Sequence, residues 1–304
     1  MNVEPRDVQA TGASPPAGGN EGVHHDEHEK LGPLPMICNH PVFIIGAPRS
    51  GTTVLAHSLA RHLDFWTSEE SQILWDVFRP IDKLVDQHYR RNEKGGGYSW
   101  LQERGIDKPE FLRLLGLGIN ALFTKLSQGK RWVDHTPIYT LIATEISQLF
   151  TGAFFIHILR DARRVIHSSL NYRNQFPKAQ ATWNTDFREA GRTWCEYMSA
   201  AMEFCSQNPA RGLTIRNEDL VADAERGFER ILSFIGAPQR DEPAHFFRNN
   251  RINSSFRGKG APSKPGGQLE EPWRDWSSEQ TELFLEECGP TIAKYGLEMC
   301  YEKC

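Results

Sequence analysis

The chain has 304 residues, 24% of them charged and 39% hydrophobic, with a formal net charge of −4. That balance supports a folded core and excludes a whole-chain basic signature for nucleic acid, while leaving room for a local basic pocket. No apolar run approaches the ~20 residues that span a bilayer, and the first thirty residues lack the apolar core of a secretory signal, so a cytoplasmic protein is expected.

Residues 1–36 are rich in Gly, Pro, Glu and His and nearly free of large apolar side chains, so they are expected to be disordered. "HHDEH" at 24–28 reads as solvated tail, with weak metal binding as the alternative. Residues 37–304 read as one domain. "PVFIIG" is a short apolar run stopped by glycine and predicts a buried parallel strand. "TTVLAHSLARHL" then places Val54, Leu55, Leu59 and Leu63 at helical spacing. "SQILWDVFRPIDKLVDQHYRR" reads as helix with a break at Pro80, "GGG" at 95–97 as a turn, and "KPEFLRLLGLGINALFTKLSQG" as a helix starting near Pro109. "RWVDHTP" is a short strand entering a loop, "IYTLIATEISQLF" a helix, and "AFFIHILR" a second buried strand followed by the helix "ARRVIHSSLNYRN". "FREAGRTWCEYMSAAMEFCSQN" predicts a long amphipathic helix, "GLTIRNEDL" a strand and turn, and "AERGFERILSFIGAP" a helix closed at Gly236 and Pro238. Residues 249–275 read as loop, and "SSEQTELFLEECGPTIAKYG" as a final helix with an interruption at Pro290.

Strands alternating with helices predict an α/β fold, a three-layer P-loop-like arrangement with a central parallel sheet flanked by helices. Ligands in such sheets bind beyond the carboxyl ends of the strands, and the loops at 46–52 and after Arg160 both leave those ends. The six cysteines include no C-x-x-C pair and predict no disulfide framework.

"GAPRSGTT" (46–53) has the spacing of a phosphate-binding P-loop, but Thr52 stands where the lysine belongs, and the loop's only charge is Arg49. Such a loop works through backbone N–H groups at a helix N-terminus. A nucleoside triphosphatase also needs the lysine and an acid for magnesium, for which Asp134 is a weak candidate. The loop therefore suits a phosphate-like anion handled without a metal, and a sulfuryl group next to a 5′-phosphate fits. In "LRDARRVIHS", Arg160 closes a strand and Ser168 lies eight residues on, roughly 12 Å along a helix. An arginine and a serine so placed suit a second phosphate, the alternative being Arg160 paired with Asp161 or a surface carboxylate, and a surface serine.

Across residues 41–297 these motifs resemble the sulfotransferases that use 3′-phosphoadenosine 5′-phosphosulfate (PAPS). "GAPRSGTT" is similar to that family's 5′-phosphosulfate loop and "RDARRVIHS" to its 3′-phosphate motif. "IRNEDLVADAERGFERILSFIGAP" resembles a stretch that usually reads "YEDL…L..FLG", and "INSSFRGKG" with "PWRDW" resembles the late loop that folds over the cofactor. The loop arginine places the chain nearer the bacterial, carbohydrate and tyrosylprotein branches. The resemblance implies PAPS as co-substrate with no metal requirement. It implies Arg49 as the cation on the sulfuryl group and Ser50, Gly51, Thr52 and Thr53 as donors to the 5′-phosphate. It implies Arg160 and Ser168 on the 3′-phosphate, with Arg257, Lys259 and Gly260 completing that clamp. Three positions depart from the pattern: Ala162 replaces a frequent proline, Asn217 a frequent tyrosine, and His135 a common lysine.

Transfer to a hydroxyl needs a base. By resemblance to the tyrosylprotein branch that base is Glu70, 21 residues after Arg49, with Glu69 in reserve. Thr67-x-x-Glu70 is also a capping-box spacing for the next helix. His135, at a strand end on the same side, is the rival base. His57 reads as surface or helix packing, and Trp66, Trp75, Trp132, Trp273 and Trp276 as core, with stacking on adenine or acceptor as the alternative. The acceptor is a hydroxyl compound (small molecule, sugar, lipid or peptide), and "YRNQFPKAQATWNTDF" has the look of a lid or acceptor loop. Two other classes compete: a P-loop kinase with an unusual loop, and a non-catalytic nucleotide-binding protein of the same fold.

Overall fold

The computed structural model describes residues 36–90, 99–175, 186–250 and 271–297. The predicted tail over 1–35, the "GGG" turn, most of the lid segment and the Arg257–Gly260 loop lie outside the described residues.

Five strands form one parallel sheet in the order β2-β3-β1-β4-β5: β1 (Val42–Ile45), β2 (Phe65–Thr67), β3 (Arg131–Asp134), β4 (Phe154–Leu159) and β5 (Gly212–Arg216). β1 is the middle strand because all four of its side chains are apolar and both its faces are covered. Val42 and Ile44 join one core with Leu55, Leu59, Ile156, Phe228 and Ile231. Phe43 and Ile45 join the opposite core with Trp132, Leu149, Phe155 and Phe204. Each large side chain so buried stabilises the fold by roughly 1.5–3 kcal/mol.

The helices that cover these faces begin where the sequence supplies caps. α1 (Thr52–Leu59) follows the glycine loop, and α2 (Arg79–Tyr89) starts with a proline in its first turn. Asp107 caps α3 (Lys108–Leu126) by accepting from the Glu110 amide at 2.8 Å. α4 (Ala143–Leu149) precedes β4, α5 (Ala162–Gln175) follows it, and Asp186 caps α6 (Phe187–Gln207). α7 (Asn217–Ala222), α8 (Ala224–Phe234), α9 (Glu242–Asn249) and α10 (Ser278–Lys294) complete the fold, α10 opened by a Ser277–Gln280 capping box.

Four expectations are corrected. α1 stops at Leu59, and Leu63 is 71% exposed. The reason is His62, which is buried, accepts from the Asp64 amide through Nδ1 and bonds the Pro238 carbonyl through Nε2 at 3.1 Å. The predicted break at Pro80 comes earlier, as a π-helical turn over Leu74–Phe78, and the helix predicted from Ile138 begins as a 3₁₀ segment, Pro137–Ile142. α10 runs through Pro290, because Phe284, Cys288 and Ile292 bury one stripe on both sides of it. β2 and α9 lie where no element was expected. No helix among the described residues is long and apolar enough to cross a membrane.

Candidate active site

β1 ends at the sheet's centre, and the chain turns through residues 46–51 into α1. The turn needs its glycines. Gly46 has φ +147°, and a Cβ there would lie 2.7 Å from the Ile158 carbonyl oxygen. Gly51 has φ +108°, and a Cβ there would lie 2.8 Å from Asn217 Nδ2. Arg49 also takes a left-handed conformation, φ +71°, at a cost of roughly 1–2 kcal/mol for a residue with a Cβ. The surroundings hold it there. Arg160 Nη1 donates to the Arg49 carbonyl at 2.7 Å, and Asn217 Nδ2 donates to the Ser50 carbonyl at 3.2 Å. Thr140 Oγ1 accepts from the Gly46 amide at 2.8 Å, and the Ser50 hydroxyl donates to the Ala47 carbonyl at 2.5 Å. The loop's carbonyls are thus turned outward to protein donors. The first N–H groups of α1 lack intrahelical acceptors by helix geometry, and a helix start of this kind cradles anions.

The two predicted motifs meet. Arg49 Nε lies 3.5 Å from Ser168 Oγ on α5, and its guanidinium covers the Tyr172 ring at 4.7 Å. Burial lowers the Arg49 guanidinium from its usual range, with Tyr172 and Glu70 opposing the fall. Tyr172 was read as part of the helix and as the first residue of the lid segment, not as a site residue, although it lies on α5 and its place one helical turn after Ser168 was a usable signal. Burial pulls Arg160 down to about 10, against the attraction of Glu218. Arg160 Nε is buried and finds no partner among the described residues, as does Glu218 Oε2. The Arg160–Asp161 alternative is not what the fold builds. Asp161 takes Arg163 in a two-point pair, at 3.0 and 2.6 Å, and Arg163 lies over Trp273 at 3.6 Å. Ser168 is buried rather than surface. Asn217 serves as a loop anchor.

On the other side of β1 stand the base candidates. The capping-box alternative for Glu70 fails: Thr67 belongs to β2, where its hydroxyl donates to the Val133 carbonyl at 2.8 Å, and the helical turn that follows begins only at Leu74. Glu70 is an exposed residue, yet desolvation by the atoms packed around its carboxyl raises it above the usual range; Asp134 adds to the rise and Arg49 opposes it. Asp134 is committed elsewhere, its two oxygens accepting from the Ser71 hydroxyl at 2.8 Å and the Thr136 amide at 2.9 Å. His135 is only 2% exposed, and neither ring nitrogen has a partner among the described residues. Its ring lies 5.8 Å from that of His57, which is half-buried rather than a surface residue. Burial lowers both histidines below their usual value, with Asp134 opposing at His135 and Glu69 opposing at His57.

Trp132 and Trp276 are packing residues: Trp132 meets Phe43 edge-on at 5.4 Å, and Trp276 lies 4.9 Å from Phe187. No cluster of metal-ligating side chains occurs among the described residues.

Comparison with known proteins agrees with this geometry. A family model described as "Sulfotransferase family" matches residues 41–242. A protein-tyrosine sulfotransferase of Drosophila melanogaster is 24% identical over 206 residues, covering 67% of this chain and 39% of that protein. The chain therefore spans well under half of that relative. A putative protein-tyrosine sulfotransferase of Caenorhabditis briggsae is 23% identical over 278 residues, covering 86% of this chain and 90% of that one. Among solved structures, the sulfotransferase domain of the Synechococcus PCC 7002 olefin synthase superposes with a TM-score of 0.55 at 18% identity, covering 88% of this chain and 98% of that one, which establishes a shared fold.

Proposed function

The chain belongs to the sulfotransferase family, and on that premise we propose that it transfers the sulfuryl group of PAPS to an acceptor hydroxyl. The observation that carries the reading is the convergence of Arg49, Arg160 and Ser168, residues from two separate motifs, at the carboxyl end of the central strand. The fit to the nucleotide rests on three features: a glycine cradle that a Cβ would fill, a helix start behind it, and a buried guanidinium nitrogen awaiting an acceptor. PAPS, when bound, supplies the activated sulfuryl group.

The chain's own residues divide the remaining work. Gly51, Thr52 and Thr53 donate to the 5′-phosphate from the loop and the first turn of α1; Ser50, expected among these donors, spends both its amide and its hydroxyl on the Ala47 carbonyl and shapes the loop instead. Arg160 and Ser168 hold the 3′-phosphate, with Arg257, Lys259 and Gly260 assigned to the same clamp. Arg49 places a cation where negative charge develops during transfer. Glu70 takes the acceptor proton; desolvation leaves its carboxyl nearer neutrality than an ordinary glutamate, which suits a base at pH 7. His135, which burial lowers below its usual value, is assigned to hydrogen bonding with the acceptor. The kinase alternative finds little support, because Thr52 cannot act as the missing lysine and both Asp134 oxygens hold the surrounding loop.

The test is calorimetric titration of the full chain with adenosine 3′,5′-bisphosphate, with ATP and magnesium as the control. Selective binding of the bisphosphate is expected. Binding of ATP alone overturns the reading.

A further inference from the structure

His135 poses a question that the nucleotide does not answer. An imidazole buried with both nitrogens unpartnered leaves polar groups unsatisfied, at about 1–3 kcal/mol each. The ring stands at the end of β3, next to the central strand, on the side that carries Glu70. The nearest ring is His57, which reaches it from α1 at 5.8 Å with a 43° tilt.

The charges around this pair are lopsided. Asp134 on β3 and Glu69 on the loop after β2 both act on His135, and Glu69 acts on His57 as well. Glu70 follows on that same loop. Two arginines flank this region: Arg61, just past the end of α1, lies over the Phe246 ring at 4.0 Å and acts on His57, while Arg49 lies against Ser168 and Tyr172 and acts on Glu70; neither acts on His135. The imidazoles themselves stay uncharged at pH 7, since burial holds both below their usual value. An acidic acceptor reaching the His135 ring meets Asp134 and Glu69 and no imidazolium. A neutral hydroxyl offers one donor and one acceptor, which matches what a neutral imidazole lacks.

We propose that His57 and His135 form the acceptor-recognition element of this site, a pair of neighbouring imidazoles, one half-buried and one buried, that takes a neutral hydroxyl compound in preference to an acidic one. His135 makes the hydrogen bond, and His57 is a positioning residue that fixes the His135 ring. The proposal rests on the sulfuryl-transfer reading and narrows its substrate class.

The experiment uses the full chain saturated with adenosine 3′,5′-bisphosphate. The His135 ring resonance, assigned through His135→Gln, is followed by NMR during titration with 4-ethylphenol, with 1-hexanol, and with a tyrosyl peptide flanked by aspartates. We expect at least one neutral probe to shift the His135 resonance, and the acidic peptide to bind at least tenfold more weakly. His57→Phe, which keeps a ring in place, is expected to weaken the neutral probe at least fivefold and leave the bisphosphate Kd unchanged. Absence of a shift with both neutral probes, acidic-peptide binding of equal or greater strength, or an unaltered neutral-probe Kd in His57→Phe would each overturn the proposal. Failure of the bisphosphate to bind the wild-type chain overturns the sulfuryl-transfer reading itself, and this proposal with it.

Discussion

Replacing Arg160 by methionine separates the stability of this fold from its function. Burial pulls the guanidinium from its usual range down to about 10, a figure that already nets the attraction of Glu218. At 1.36 kcal/mol per pH unit, that gap makes the charged form about 3 kcal/mol less favourable in the fold than in the unfolded chain. The sign is that of a base with a depressed folded-state pKa. Below pH 10 the group is charged in both states, so the penalty is present in full at pH 7. It is relieved only as pH rises through 10. Against it stands the 2.7 Å bond to the Arg49 carbonyl, a charge-assisted contact that contributes about 1.5–3 kcal/mol. The balance leaves Arg160→Met between neutral and about 2 kcal/mol more stable in the absence of nucleotide. The same substitution removes at least one charge-assisted bond to the 3′-phosphate, which raises the bisphosphate Kd by about 10- to 150-fold. Urea denaturation measures the first effect and calorimetry the second. A variant destabilised by more than about 1 kcal/mol, or one that binds the bisphosphate as tightly as wild type, refutes this reasoning.

Three further outcomes are expected. Arg49→Ala abolishes most transfer, by about 10²–10³-fold, while circular dichroism and the unfolding midpoint stay near wild type; turnover near the wild-type rate contradicts its role. Glu70→Gln lowers turnover by about 10²–10⁴-fold. Because desolvation raises the Glu70 carboxyl, the acid limb of the wild-type rate profile falls above the usual glutamate range; a limb at the ordinary value counts against Glu70 as the base. His157, buried in β4, is held down to about 3 by desolvation. Its depressed folded-state value means stability is full above about pH 6.5 and falls as pH drops toward 3, by up to about 5 kcal/mol. His157→Gln is expected to flatten that slope in acid-denaturation curves, and an unchanged slope would exclude the assignment.

The sequence carried the fold wherever a pattern was local. β1, β4 and α3 each announce themselves by an apolar run or a capped helical repeat, and the structure places them as read. What escaped depends on distant partners. β2 is three residues long and exists because it pairs with β3, and α1 stops early because His62 finds the Pro238 carbonyl. The loop motif was legible because glycine spacing encodes its backbone conformation. The clasp around it was not: Thr140 and Asn217 anchor the loop from positions about 90 and 170 residues away in sequence. The Glu70 ambiguity illustrates the same limit. Capping-box spacing is a local pattern, and only the pairing of Thr67 with Val133 removes it.

The most direct test of the account is transfer of label from [³⁵S]PAPS to a mixture of neutral phenols and alcohols, with wild type and Arg49→Ala run side by side. The account predicts acceptor-bound label with wild type, stoichiometric release of adenosine 3′,5′-bisphosphate, and at least a hundredfold less label with the variant. Label transferred equally by both proteins, or retained entirely as PAPS by a wild-type chain that binds the bisphosphate, would contradict it.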